Sequence, residues 1–369
     1  EVLPGVMKGK DIEGLRFVHP MYEDRKVPVI LGDHVTLEAG TGLVHTAPDH
    51  GVEDFEVCKK YPDWHLEPIG TVGPDGKYTS AVPGYEGKFA LDMNVEMIKA
   101  LAASGALFAK GSLRHQYAHC WRCKNPIIYR ATEQWFSSVD GYRKKALEAI
   151  DQVQWIPSWG HDRIYNMIRD RGDWCISRQR VWGVPIPIFY CREHNHAVIT
   201  DETIAHLQEI FAKEGSDAWW AHTEKELLPE GFKCPECGCT EFRKESDIMD
   251  VWFDSGCTHQ GVLCHDPELA YPADMYLEGS DQHRGWFNSS LLTSVAANGI
   301  APYKAVLTHG FTVDGEGRKM SKSVGNTVAP QEVIDQYGAD VMRLWVSSAD
   351  YQGDVRLSPK ILKQLSDVY

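Results

Sequence analysis

The sequence is most informative first in what it lacks. No stretch approaches the roughly 18 consecutive apolar residues that a membrane-spanning helix needs, so no membrane crossing is expected. Its start, EVLPGVMKGKDIEG, has no charged-then-apolar signal pattern. It has no initiator methionine either, so the expectation is a chain cut from something longer. There are no internal repeats and no low-complexity tract. Positive charge is in deficit, with 38 Lys and Arg against 52 Asp and Glu and a net charge of -14. That balance excludes a general nucleic-acid coating protein but leaves room for a local basic groove. One candidate stretch holds Arg163, Arg169, Arg171, Arg178 and Arg180. Taken alone, such a run reads as a solvated helix face.

What is present is ordinary for a globular chain of two or three domains: 43% hydrophobic and 24% charged residues over 369 positions. Residues 1–110 are rich in turn dipeptides (Pro4-Gly5, Gly32-Asp33, Gly73-Pro74, Asp75-Gly76, Pro83-Gly84). Short apolar runs lie between them, so a mainly β domain is expected, interrupted by helices near 53–61 and 92–104. Residues 111–136 hold a cysteine pair and a β-like return, Ile127-Ile128-Tyr129. Two helices split by Trp155-Ile156-Pro157 are expected over 138–170. A strand, a helix near 201–214 and a Cys-rich turn follow. Strand-like Met275-Tyr276-Leu277 leads to a helix near 284–298. A second strand at Ala305–Thr308 then enters a glycine-rich loop at 314–318. That order is half of a doubly wound α/β sheet, whose ligands are expected at the strand C-termini. Further helices are expected at 330–337, at 339–347 and from about 358.

The loop Asp314-Gly315-Glu316-Gly317-Arg318 runs into Lys319-Met320-Ser321-Lys322-Ser323. Two compact ammonium charges on a glycine-rich loop suit the clamping of polyphosphate as charge develops on it. An arbitrary Lys-x-x-Lys would be an exposed basic turn; the complete string is much rarer. It resembles the second signature of class I aminoacyl-tRNA synthetases. His309-Gly310-Phe311-Thr312-Val313-Asp314-Gly315 and Glu278-Gly279-Ser280-Asp281-Gln282-His283-Arg284-Gly285-Trp286-Phe287 resemble the isoleucine-specific branch. Asp173–Arg180 followed by Trp182-Gly183, and Asp250–Gly256, also resemble segments of that family.

The resemblance implies the following. The fold is α/β: the second half of a class I Rossmann-like catalytic domain, a mainly β editing-domain portion and a small zinc-binding insertion. The domains would be 1–110 (C-terminal part of the editing domain), 111–183 (return connection and core segment), 184–250 (zinc insertion), 251–330 (second catalytic half with the lysine loop) and 331–369 (start of the helical tRNA-side region). The activity would be ATP-dependent charging of tRNA(Ile) with isoleucine, with Mg²⁺ on the phosphates. Lys322 and Lys319 would contact ATP and act in catalysis. Glu278, Gly279, Asp281 and Gln282 would meet the adenylate. Trp286 would wall the isoleucine pocket, unless it is simply a core aromatic. The enzyme would be cytoplasmic and monomeric.

Gly40–Gly51 leading into Glu53-Asp54-Phe55 resembles the hydrolytic editing domain of the same enzymes. One missing methylene is worth only about 1–3 kcal/mol in an apolar pocket, a figure that comes from this enzyme family itself, so valine needs a second sieve. By resemblance, Asp54 would hold the α-ammonium of the mischarged amino acid and His45 would line the pocket.

With no signal pattern in the sequence, its ten cysteines, several in close pairs, read as metal ligands or reduced thiols. Cys191-x-x-His194 and Cys234-x-x-Cys237 can make a tetrahedral zinc site, although relatives carry Cys where His194 stands. Cys239 or His196 could replace a ligand. Cys120-x-x-Cys123 is half a site, with only His115 or His119 as makeshift partners. No His-Ile-Gly-His string occurs among the 16 histidines, and the threonine-rich editing strand is absent. Little turnover by this chain alone is therefore expected. The alternatives are a non-catalytic zinc-bearing RNA-binding fragment, or a relative of the valine enzyme. The intact lysine string and Asp54 speak against the first, and Asp281–Arg284 against the second.

Overall fold

The computed structural model describes residues 7–36, 38, 41–112, 114–120, 122–322 and 324–369. Gly40 of the editing string and Ser323 of the lysine string lie outside the described residues. The chain forms two compact units, Glu1–Glu133 and Gln134–Tyr369. The expected edge at residue 110 falls inside the first unit. There a His119–Pro126 bridge and an Ala131 N–H to Asp49 carbonyl bond (2.7 Å) extend the unit past 111.

The first unit has less β-structure than its sequence suggests. Its described residues contain two three-residue strands, Arg16–Val18 and Lys26–Pro28, paired antiparallel with Phe17 opposite Val27. Turns account for the difference. Gly76 N–H closes onto Gly73 O (3.0 Å) and Gly73 N–H onto Lys77 O (2.8 Å), so the chain reverses before a ladder can grow. Ile127-Ile128-Tyr129 is not a strand. The Ile127 carbonyl accepts from the Tyr117 hydroxyl and the Tyr129 carbonyl from His50. The two expected helices are present, at Val52–Lys59 and at Asn94–Ala103, the latter preceded by a 3₁₀ turn.

In the second unit the α/β core begins with β1 (Gln154–Ile156) and α1 (Trp159–Arg169), continues through β2 (Ala273–Gly279) and α2 (Trp286–Asn298), and ends with β3 (Tyr303–His309). The sheet order is β2-β3-β1, all parallel, with Glu278 beside Thr308 and Gly279 beside His309. β1 stands where Trp155-Ile156-Pro157 suggests only a break between helices. α2 places Phe287, Leu291 and Val295 four residues apart on one face, over Trp155, Ile164, Tyr276, Tyr303 and Val306. Gly299, in the left-handed region, ends it.

Within the second unit, residues 189–242 form a lobe around an apolar cluster of its own. Phe189–Cys191 pairs antiparallel with Ala197–Val198 and with Phe242–Lys244. The helix Asp201–Glu214 begins on Thr200, whose hydroxyl accepts from Thr203 N–H. Leu207, Trp219, Leu227 and Phe242 fill its core. A third core, Val333, Val341, Leu357 and Leu362, joins the helices Pro330–Tyr337, Ala339–Ser348 and Pro359–Val368.

Candidate functional site

The C-terminal ends of β2 and β3 lie side by side, and the residues expected to meet the adenylate sit on β2 and just after it. Glu278, the last residue of β2 but one, is exposed. Gly279 is buried, and a side chain on it would strike the Asp281 carboxylate (2.9 Å) and the Phe311 ring (3.2 Å). The 3₁₀ turn Ser280–His283 carries Asp281 outward. Gln282 has a local duty, its Oε1 accepting the Trp286 N–H at the start of α2 (2.8 Å). Trp286 lies flat on Tyr276, with ring centroids 3.9 Å apart, and donates its indole N–H to the Ser255 carbonyl. That pins a half-buried indole against the edge of the main apolar cluster, beside the middle of β2. His283 is fully buried among Trp155, Trp159 and Phe287, and burial lowers its pKa, so it is a neutral core residue.

The lysine loop is organised by a residue to which sequence reasoning gave no role. Asp314 is buried beside the short strand Thr312–Val313, which pairs in parallel with Val355–Arg356. Its carboxylate accepts from Asn326 Nδ2 (2.9 Å), the backbone N–H of Arg318 (2.8 Å) and of Glu316 (3.1 Å), and Arg318 Nε (2.9 Å). These donors, Asn326 first, hold it down to about pKa 2. Asn326 also accepts from Ser321 N–H and donates to the Lys319 carbonyl. Met320 packs on the third core. With the loop held at both points, Lys319 and Lys322 stand exposed with no carboxylate partner among the described residues. Gly310 is required where the strand enters this segment, because a Cβ there would lie 2.1 Å from the Gly353 carbonyl oxygen.

In the first unit, Asp54 sits in the first turn of Val52–Lys59. Its Oδ2 accepts from Ala47 N–H (2.8 Å), and His34 Nε2 stands 4.0 Å from Oδ1. His45 is exposed on the same loop. Beside them lies a polar network missed in the sequence. Asp49, 7% exposed, accepts from Gly70 N–H, Thr71 N–H and the Thr71 hydroxyl, while His50 bridges the Thr71 hydroxyl (2.6 Å) and the Tyr129 carbonyl (2.7 Å). Adjacent ionisable residues after a proline in Pro48-Asp49-His50 were its only sequence signal.

The candidate metal donors converge in the lobe. Ligand atoms of Cys191, Cys234 and Cys237 lie within 4.8 Å of one another, as do those of Cys191, His194 and His196. The Cys191 and Cys237 sulfurs are 3.5 Å apart, and His196 Nε2 is 3.0 Å from Cys234 Sγ. Three thiols therefore gather, with the imidazoles of His194 and His196 within reach of Cys191, a donor set suited to zinc. Desolvation raises the Cys191 thiol, but the backbone N–H groups of His194 and Glu193 and the thiols of Cys237 and Cys239 outweigh it and hold it below the ordinary range. Cys120 and Cys123 lie close together, the Cys123 N–H 3.5 Å from Cys120 Sγ.

Comparison with known proteins adds three findings. The family described as tRNA synthetases class I (I, L, M and V) matches residues 15–358. The isoleucine–tRNA ligase of Caldicellulosiruptor bescii is 60% identical over 362 residues, and that of Desulfitobacterium hafniense is 63% identical over 361. Each alignment takes in 98% of this chain and 39% of the relative, so the chain spans about two fifths of the length of these relatives. A methionyl-tRNA synthetase of Mycobacterium tuberculosis in complex with methionyl-adenylate aligns over 67% of this chain and 39% of its own, at 18% identity and a TM-score of 0.42, too slight a likeness to carry weight.

Proposed function

The chain belongs to the class I tRNA synthetases, and from that premise we propose that it carries part of the catalytic apparatus of an isoleucine–tRNA ligase. The observation that most supports this is the pair of ammonium groups, without a carboxylate partner among the described residues, on a loop fixed by Asp314 and Asn326. Isoleucine would attack the α-phosphate of Mg-ATP through its carboxylate, releasing pyrophosphate, and the adenylate would then pass its acyl group to the 3′ end of tRNA(Ile). Lys322 and Lys319 would meet the oxygens of the leaving pyrophosphate, where charge accumulates. Glu278 would accept from a ribose hydroxyl or the substrate ammonium, with Gly279 giving close backbone approach, Asp281 and the free amide end of Gln282 meeting the nucleotide, and Trp286 offering a flat apolar wall. The enzyme would work in the cytoplasm as a monomer.

In the first unit, Asp54 would hold the ammonium of valine misattached to tRNA and His45 would line the hydrolytic pocket. One Asp54 oxygen is free of backbone donors, as that role requires. In the lobe, Cys191, Cys234, Cys237 and His194 would hold a zinc ion, which when bound ties its loops together. His196 is the rival fourth ligand.

The test is isoleucine-dependent pyrophosphate exchange by full-length protein. Lys322→Ala should lower the exchange rate by about 10²–10³, the usual loss for one preorganised charge donor. Absence of exchange in the unaltered, folded protein would remove the ligase reading. Metal analysis should give one zinc per chain, lost in Cys234→Ser. Loss in His196→Ala but not in His194→Ala would reassign the fourth ligand.

A further inference from the structure

Trp286 is held at three points. Its backbone N–H donates to Gln282 Oε1 (2.8 Å) and its indole N–H to the Ser255 carbonyl (3.0 Å). These bonds fix the start of α2 and one edge of the ring, but not the distance of its face from the sheet. Tyr276, in the middle of β2, sets that distance. Its ring lies within 8° of parallel to the indole, with centroids 3.9 Å apart. Two rings at that spacing are in full contact and can come no closer.

Tyr276 has no room to retreat. It is 4% exposed and also meets Tyr303, whose ring centroid is 4.8 Å away. Tyr303 is itself buried, donates its hydroxyl to the Phe287 carbonyl (2.9 Å) and stands edge-on to Trp155 at 6.0 Å. The three strands thus supply one ring each, Trp155 from β1, Tyr303 from β3 and Tyr276 from β2, in the order in which the strands pair. Trp286 on α2 is the outermost member of the chain. The Tyr276 hydroxyl, by contrast, is buried and makes no hydrogen bond among the described residues. What Tyr276 contributes is therefore its ring and not its polar group.

Telling apart two aliphatic side chains that differ by one methylene requires a wall that does not yield. We propose that Tyr276 is the positioning residue for Trp286. It touches no substrate, and by fixing the depth at which the indole lies it sets the preference of the pocket for isoleucine over valine. The inference rests on the reading of Trp286 as the isoleucine wall.

The experiment is pyrophosphate exchange by full-length protein, with KM taken separately for isoleucine, valine and ATP. Tyr276→Leu should raise the isoleucine KM by about two- to tenfold, the worth of one aromatic stack. The ATP KM should stay as it was, and the preference for isoleucine over valine should narrow by a similar factor. Tyr276→Met fills the space with a flexible chain and no flat face. It should act as Tyr276→Leu does, and it carries the test if Tyr276→Leu does not fold. Tyr276→Phe keeps the ring and should leave all three KM values unchanged. In a Trp286→Ala background, Tyr276→Leu should add nothing to the isoleucine KM, because the wall it supports is gone. The inference is overturned if either ring-less variant, once folded, keeps the isoleucine KM or raises the ATP KM equally. It is also overturned if Tyr276→Phe behaves as those variants do. Trp286→Ala separates the two levels. If it raises the isoleucine KM while Tyr276→Leu and Tyr276→Met do not, the wall stands and Tyr276 does not position it. If Trp286→Ala is itself silent, the wall reading fails and the inference falls with it.

Discussion

The two units of this chain are held together by different means. In Gln134–Tyr369, three apolar clusters fill the interior, and the large side chains Phe189, Trp219, Phe287 and Tyr303 are all but sealed from solvent. In Glu1–Glu133, the buried apolar residues among those described are Val57, Cys58, Val72 and Met93, while Leu15, Phe17, Val18, Leu43 and Val44 are each more than half exposed. Its best-buried polar group, Asp49, is also its best-connected one. Burial of apolar area drives the first kind of structure and tolerates local error. The second kind relies on polar groups matched one by one, where each loss is felt at full desolvation cost.

Substitutions can break this contrast. The largest effect is expected from Phe287→Ala, which empties a fully buried site on α2 beneath β2 and β3. It should cost about 3–5 kcal/mol, read as a lower urea midpoint for the second unit. Next comes Asp49→Ala, which strands the Gly70 and Thr71 N–H groups and should cost about 1–3 kcal/mol. Faster amide exchange at residues 70–79, with the second unit unchanged, is the expected signature. If Asp49→Ala were silent and the first unit kept its protection, the polar-core account of that unit would be wrong.

The same contrast explains how far the sequence could be read. Where apolar spacing set the structure, reading succeeded: Asp201–Glu214, Trp286–Asn298, Pro330–Tyr337 and both long strands lie within a few residues of expectation. It failed where hydrogen bonding to side chains decided the backbone. Ile127–Tyr129 has strand-like residues, yet its carbonyls serve Tyr117 and His50. The three residues of β1 are too few to carry a period, and only pairing with β3 makes them a strand. At the site, the lysines were legible from their string. The scaffolding Asp314–Asn326 pair was not, because twelve residues separate partners that meet only in the folded loop.

The smallest expected effect sharpens the contrast through pH. Asp254, on the short helix Val251–Gly256, is pushed up to about pKa 6, chiefly by burial and then by the charge of Asp250. In the unfolded chain the same carboxyl ionises near pKa ~3.9. Between those values the folded chain binds more protons than the unfolded one, so stability falls as pH rises through that window and the full penalty stands above pH 6. Below ~3.9 both states are protonated and the penalty vanishes. Asp254→Asn should therefore stabilise the second unit at pH 7.5 by about 1 kcal/mol, the shift being discounted for the partial exposure of the group. It should do nothing near pH 3. The first unit should not respond at either pH, since Asp254 lies in the second. Equal gains at both pH values would show that the amide acts by packing and not by removing a charge. A matching gain in the first unit would show that the two units do not unfold independently.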